Sequence, residues 1–442
     1  MVSPGSTTPR PQAEWGLLGL MKRFLRRPAV IVAEIFVITA ACTLGASLAQ
    51  AGRSPAAEVA RLREHGTLIT ALVRGLALDH VFTSLWFLLA LTFATASLSI
   101  VVAEQIRRLR VAWGQAPTEA QFRNAPFRRE FTRPASTDAA SATHIRTQGR
   151  LGLAGSPLFH TGLLCVILAG ALQALFGVQA VVDVYEGEIL PATTEAWGAQ
   201  WPGPLGRPFR LDEPLTLLSV ASTRYETGDL MNLRLKLAEQ GPGGGQIREM
   251  GINDELPVSR GRLYAEAQHG PAALVEWTAP SSAPIGSAVL LEKKETAAFG
   301  AYTQGPGALR ARIRVPMPAD GQRPDHAEVR ILDGTSTLTE GSLKSGEALP
   351  LPGGGRLKLH GLPYWARLHG NHDPAIGLAY LGFILALLGA ALTYGVTRVD
   401  EWVVVIPEGD RERVVVALRP HRFAPLFQER FEHLVRDHGG EV

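Results

Sequence analysis

Gly149-Arg-Leu-Gly-Leu-Ala-Gly-Ser-Pro-Leu-Phe-His160 leads into an uncharged apolar run ending near Val178, and the chain continues as Val181-Val-Asp-Val-Tyr-Glu-Gly187. Pro157 to Val178 supplies about 20 residues, enough at about 1.5 Å per residue to cross a ~30 Å hydrocarbon layer. Pro157 is expected to open this helix near the inner interface. An ionisable imidazole about one turn inside such a span is costly and marks a candidate functional site. His160 is where the chemistry of the chain is first sought.

Three more stretches have the same character: Pro28–Gln50, Val81–Ala103 and the segment 374–396, apolar from Ala375 to Val396. Over 442 residues the mean hydropathy is +0.08 and only 19% of residues are charged. Lys and Arg beside a span are retained in the cytoplasm. Lys22, Arg23, Arg26 and Arg27 precede the first span, and Arg107, Arg108, Arg110, Arg123, Arg128, Arg129, Arg133, Arg146 and Arg150 lie between the second and third. Residues 179–206 contain Asp183, Glu186, Glu188 and Glu195 but no Lys or Arg.

These flanks predict a multi-pass protein of the inner (plasma) membrane with both termini cytoplasmic. The expected segments are 1–27 cytoplasmic, 28–50 first span, 51–80 external loop, 81–103 second span, 104–156 basic cytoplasmic loop, 157–178 third span, 179–373 extracytoplasmic, 374–396 fourth span and 397–442 cytoplasmic tail. The first span is too long for a signal-peptide core and reads as an uncleaved anchor. The net charge of +3 is explained by topology, so no nucleic-acid partner is expected.

Residues 179–373 carry alternating runs, Asn232-Leu-Arg-Leu-Lys-Leu237, Leu309-Arg-Ala-Arg-Ile-Arg-Val315 and Arg356-Leu-Lys-Leu-His360, which describe strands with one buried face. Turn clusters at Gln240–Gly245, Pro318–Gly321 and Leu351–Gly355 separate them. The expected fold is four transmembrane α-helices with a large β-rich, sandwich-like domain between the third and fourth. In the tail, Trp402–Ile406 and Val414–Leu418 flank Pro407-Glu-Gly-Asp410, which predicts a hairpin followed by a helix around Ala424–Arg436. A lone hairpin is marginally stable, so it is expected to pack on that helix, on the 104–156 loop or on another subunit.

Cys42 and Cys165, both in spans, are the two cysteines. Without a CxxC pair the chain has no thiol–disulfide chemistry of its own. No P-loop, HExxH, nucleophile elbow or EF-hand loop occurs, and no enzymatic turnover is expected. The remaining candidates are polar groups in or beside the spans. Glu34, two turns into the first span, is suited to pair with His160 or with an arginine of the 104–156 loop. His80 stands at the outer end of the second span before Trp86, and His369 and His372 follow His360 in a Tyr- and Trp-containing stretch next to the fourth span. Neutral imidazole is a common metal and haem-iron ligand.

The order of these features resembles the ResB family, also called CcsB, of the system II cytochrome c maturation machinery. The resemblance rests on Leu44-Gly-Ala-Ser-Leu-Ala-Gln50, Phe82-Thr-Ser-Leu-Trp-Phe87, Phe159-His-Thr-Gly162 with Glu186-Gly187, Tyr225-Glu-Thr-Gly228, Ile252-Asn-Asp-Glu-Leu-Pro-Val258 with Gly261-Arg-Leu-Tyr264, and Asp373-Pro374 before Tyr380-Leu-Gly-Phe383. Ala46 and Ala49 depart from the family's Thr and Pro. The resemblance implies a component that, with a CcsA/ResC partner, carries haem across the membrane and presents it to apocytochrome c, with thiol reduction left to thioredoxin-like proteins. It makes His160 an axial ligand of haem in transit, with no axial role for His369 or His372. The rival readings are a scaffolding subunit without haem contact and a small-molecule transporter, the latter disfavoured because the sequence lacks paired broken helices and internal symmetry.

Overall fold

The computed structural model describes residues 20, 23–25, 27–51, 54, 56–64, 67–135, 142–225, 229–239, 245–280, 282–295, 298–317, 323–352 and 354–441. Lys22, Arg26, residues 226–228 of the Tyr225 motif and most of the turn clusters at 240–244 and 318–321 lie outside them. The chain divides into two compact units, one of Met1–Leu48, Ala71–Leu172 and Ala375–Val442, the other of Ala49–Thr70 and Gln173–Pro374.

Among the described residues, four helices are long and apolar enough to cross a membrane: α1 (Pro28–Ser47), α2 (Leu85–Gly114), α3 (Gly152–Phe176) and α4 (Ile376–Gly395). Helix α2 is capped by Ser84, whose hydroxyl accepts the Phe87 N–H. It continues well past Ala103 because Glu104 bonds Arg107 and Arg108 one turn on, each at 2.9 Å, stabilising a polar extension. Helix α3 begins at Gly152, so Pro157 lies inside it and does not open it. The turn feeding α3 uses Gly149 at φ 68°, where an added Cβ would collide with the Thr397 carbonyl. Residues 51–80, expected as a plain loop, contain helices Ala56–Arg63 and Thr67–Gly75. Leu68, Ile69, Leu72 and Val73 supply the helical period of the second.

In the first unit the tail hairpin is confirmed and extended. Strands Val399–Glu408 and Arg411–Pro420 pair with each other, and they are flanked by Ala142–Gln148 and Phe127–Pro134 from the 104–156 region. Of the three supports expected for the hairpin, the structure uses that loop and the terminal helix α5 (Gln428–Asp437), whose Phe431 and Val435 pack on Val399, Val414, Val416 and Leu418. Phe127 stacks on Phe431 at 5.5 Å. Asp400, fully buried on the strand Val399–Glu408, accepts bonds from Arg398 (3.1 Å) and Thr147 (2.9 Å) and faces His421 Nε2 at 2.9 Å. Burial alone would raise its pKa, but these partners hold the carboxyl below the usual carboxylate range.

The second unit has two cores in place of the single sandwich expected from alternation. They are joined by one 19-residue strand, Gly261–Ala279. Its first part pairs with Tyr364–His372, and its second with Arg356–Gly361 and Ser282–Leu290. Leu263 and Ala265 belong to one core with Val182, Leu217 and Leu235; Ala273, Val275 and Trp277 belong to the other with Ile313 and Ile331. The register shifts between Ala265 and His269, a bulge that lies between the two cores. Val178–Tyr185, the first strand after α3, lies beside Tyr364–His372, the last before α4.

Glu186 braces this arrangement. It bonds both Arg323 Nη atoms at 2.5 and 2.6 Å and accepts the Val220 N–H (2.7 Å) and the Tyr364 N–H (3.0 Å). Burial opposes its ionisation, yet Arg323 and the two N–H groups prevail and hold its carboxyl below the ordinary value. Nearby, buried His269 donates Nδ1–H to the Ala267 carbonyl (2.8 Å) and accepts from Arg224 Nη2 (3.2 Å). Burial, with Arg224 adding to it, pushes this imidazole towards the neutral form.

Both depressed groups contribute stability that is present above their unfolded values, about 6.5 for His and 4.3 for Glu. That stability is lost as pH falls through the lower folded values. Acid titration followed by circular dichroism of the β signal is expected to show stability declining below about pH 6.5 and again below about pH 4.3. Glu186→Gln should remove the second part and cost about 2 kcal/mol at neutral pH, a figure limited by the partial exposure of Arg323. An unchanged acid profile in that variant would refute the bracing role.

Candidate functional site

Helices α3 and α4 meet backbone to backbone. A Cβ placed on Gly162 would lie 2.5 Å from the Gly382 carbonyl oxygen, and one on Gly389 would lie 2.7 Å from the Gly155 oxygen. The glycines are seven residues apart on each helix, at 155 and 162 and at 382 and 389, so they recur on one face after two turns. Without Cβ atoms the helices approach closely enough for extensive van der Waals contact, which is the main attraction available between helices in lipid.

This contact fixes the rotation of α3. Phe159 shares the glycine face, and His160, the next residue, is turned about 100° from it. His160 falls on the stripe of Ile167 and Ala171, which pack on Ala41 of α1 and on Val81, Phe87 and Leu91. Glu34 belongs to the matching stripe of α1 with Ile38 and Ala41. By helical period, His160 stands two turns ahead of Ile167 and Glu34 one turn ahead of Ile38.

His160 Nδ1 is 2.8 Å from the Ser156 carbonyl oxygen. An oxygen acceptor there requires the proton on Nδ1, so the neutral ring presents Nε2 as a lone pair. Thr161 donates in the same way to the Pro157 carbonyl at 2.7 Å. His160 Nε2 has no hydrogen-bond partner among the described residues, and the side chain is only partly buried. The ring therefore has a fixed tautomer and an open basic nitrogen, the state in which imidazole ligates a metal.

Glu34 bonds neither His160 nor an arginine of the 104–156 region among the described residues. Its polar neighbour is Ser97 of α2, whose hydroxyl donates to the Leu25 carbonyl at 3.0 Å. Glu34 Oε1 is buried without a hydrogen-bond partner there. His80 precedes α2 and bonds the Asp79 carboxylate at 2.8 Å, while Trp86 donates to the Leu76 carbonyl at 2.7 Å. That arrangement anchors the start of the helix.

In the second unit His369 and His372 lie on one strand, and a spacing of three puts them on opposite faces. They cannot act together on one ligand. His369 Nδ1 bonds Glu266 Oε1 at 2.9 Å, whereas His360 faces Glu276 at 3.3 Å. Sequence reading missed Glu266, Glu186 and Arg323, whose partners are remote in the chain. The shift of an otherwise alternating strand at Gly270-Pro271 was the signal available near Glu266.

Residues 29–212 match the family model described as ResB-like family. The match spans α1, α2, α3 and the first strands after them, and includes Glu34, His80 and His160. Over this stretch the chain is similar to that family. The cytochrome c biogenesis protein CcsB of Synechococcus sp. (strain CC9605) is 25% identical over 354 residues, covering 73% of this chain and 75% of the relative. The matched stretch thus contains the partly buried imidazole of α3 and carries the α3 side of the glycine contact.

Gly162→Leu or Gly389→Leu should force α3 and α4 apart, at a cost of about 1–3 kcal/mol of overpacking, read as a lower melting temperature of the detergent-solubilised protein. Gly170→Ala, whose added Cβ meets nothing within 4 Å, should leave it unchanged or slightly higher. Equal effects at Gly162 and Gly170 would count against the close approach.

Proposed function

We propose that the protein is a haem-handling component of cytochrome c biogenesis, acting with a CcsA/ResC-type membrane partner to carry haem across the bilayer and present it to apocytochrome c. The reading is carried by His160, an intramembrane imidazole whose Nδ1 is occupied by the Ser156 carbonyl and whose Nε2 is open. The ResB-like match over residues 29–212 supports it, as does the name of the cyanobacterial relative.

In this reading haem is cargo. His160 Nε2 supplies one axial bond to its iron, and the partner supplies the other. The basic flanks of α1 and the 104–156 region favour a cytoplasmic location for both, which sets His160 near the inner face and residues 179–373 outside. Thioether formation adds reduced thiols of the apocytochrome to haem vinyl groups, so the protein's task is binding and orientation, with thioredoxin-like proteins supplying reducing equivalents. Glu34, on the α1 stripe with Ile38 and Ala41, is a second polar group within the apolar helices.

The complex with the partner, purified from cells, should show a haem absorbance spectrum. In His160→Ala, bound haem should fall at least about tenfold while the complex stays intact by gel filtration, and added imidazole should restore the spectrum. An intact complex with an unchanged spectrum would sink ligation by His160 and favour a scaffolding subunit.

A further inference from the structure

In the second unit the strands Gly261–Ala279, Tyr364–His372 and Val178–Tyr185 lie side by side. Alternation sends Leu263, Ala265, Ala366, Leu368, Ala180 and Val182 into the core. The opposite face carries Tyr264, His369 and Val181 in one row across the three strands. His369 thus stands mid-sheet, with an aromatic ring on one side and an aliphatic side chain on the other.

The bulge after Ala265 brings the Glu266 carboxylate to His369 Nδ1 at 2.9 Å. As at His160, the acceptor requires the proton on Nδ1 and leaves the Nε2 lone pair open in the neutral ring, here with a carboxylate that fixes the ring's orientation. His369 Nε2 has no hydrogen-bond partner among the described residues. Together with Ile252, Asn253 and Ala267, these residues line an open cleft of about 440 Å³. Asn371, two positions along the same face, also lines it and holds a buried Oδ1 without a hydrogen-bond partner.

We propose that this cleft is a second haem station, with His369 Nε2 as the iron ligand and Glu266 as the residue that orients it. The proposal rests on the haem-handling reading above and adds to it a site outside the spans. The choice of ligand follows from the number of donors. No group of three or more His, Cys, Asp or Glu able to hold a metal ion occurs among the described residues, and one imidazole is too few for a bare ion. Haem iron brings four nitrogens of its own and needs only an axial base. Tyr264 and Val181, on either side of His369 in the same row, offer apolar contact to one face of a flat ring held by His369. Arg262 and Arg367, on the same face, are ion-paired with Glu255 (3.0 Å) and Asp183 (2.7 Å); reaching propionates would require those pairs to be exchanged.

The test is a hemin titration of the full-length protein in detergent, followed in the Soret band, using wild type, His160→Ala, His369→Ala, the double variant and Glu266→Gln. His160→Ala is expected to retain a haem signal that the double variant loses, and Glu266→Gln in the His160→Ala background should weaken that binding about 10–100-fold with the β circular dichroism unchanged. Titration with Zn²⁺ should leave the protein's melting temperature unmoved. If His160→Ala binds no haem while wild type does, the cleft is not a station and the reading at His160 stands. A residual signal in His160→Ala that survives His369→Ala also overturns the proposal. If wild type binds no haem at all, both readings fall.

Discussion

The backbone contact between α3 and α4 governs what the membrane part of this protein can do. A helix in lipid gains little from rotating one apolar face or another toward its neighbour, because lipid tails and leucine side chains are alike in polarity. Glycine changes that, since only the face without Cβ atoms lets two backbones touch. Gly155 and Gly162 therefore act as an angular lock on α3, and with Gly382 and Gly389 opposite them the lock has two points two turns apart. Locked in this way, α3 directs His160 away from α4 and onto the stripe that packs against α1 and α2. The tautomer is then fixed by Ser156, one turn behind. A ligand that must bind and later leave benefits from an imidazole that is already oriented, because little ordering entropy remains to be lost on binding.

The second unit solves a different problem, that of holding two cores in one polypeptide without a disulfide. A 19-residue strand spans both. Its bulge falls where one core gives way to the other, and the polar residues of that joint, Glu266 and His269, are drawn into bonds with His369 and Arg224. The extra residues that interrupt the ladder are also those that re-aim side chains out of the alternating pattern. Glu186 then ties the end of the first strand to Val220, Arg323 and the start of the last strand.

Much of this was legible because it follows from short-range periodicity. The four apolar helices, the strands around Asn232, Leu309 and Arg356, and the tail hairpin each announce themselves within ten to twenty residues. The strands Phe127–Pro134 and Ala142–Gln148 did not: the first is arginine-rich, reads as a topology signal and gives only Phe127 and Phe131 to the tail core, and the second is polar and mostly exposed. At the site, His160 was visible as a charge-bearing residue in an expensive place. Its fixed tautomer and its rotation away from α4 were not, since they depend on a helix more than 200 residues downstream. The same is true of His369, whose carboxylate partner is 103 positions away. Sequence adjacency suggested His369 and His372 as a pair, and strand geometry separates them.

The pairing of Val178–Tyr185 with Tyr364–His372 joins the first strand of the intervening segment to the last. During synthesis the first of these strands emerges with an unsatisfied edge, and its partner is not made until nearly 200 residues later. Local hairpins can form meanwhile, but the sheet they belong to stays open until the chain has almost reached α4. The segment therefore closes as a ring of sequence, late and all at once. A truncation anywhere before Tyr364 would leave an apolar strand with an exposed edge, a species that quality-control proteases and aggregation would both act on.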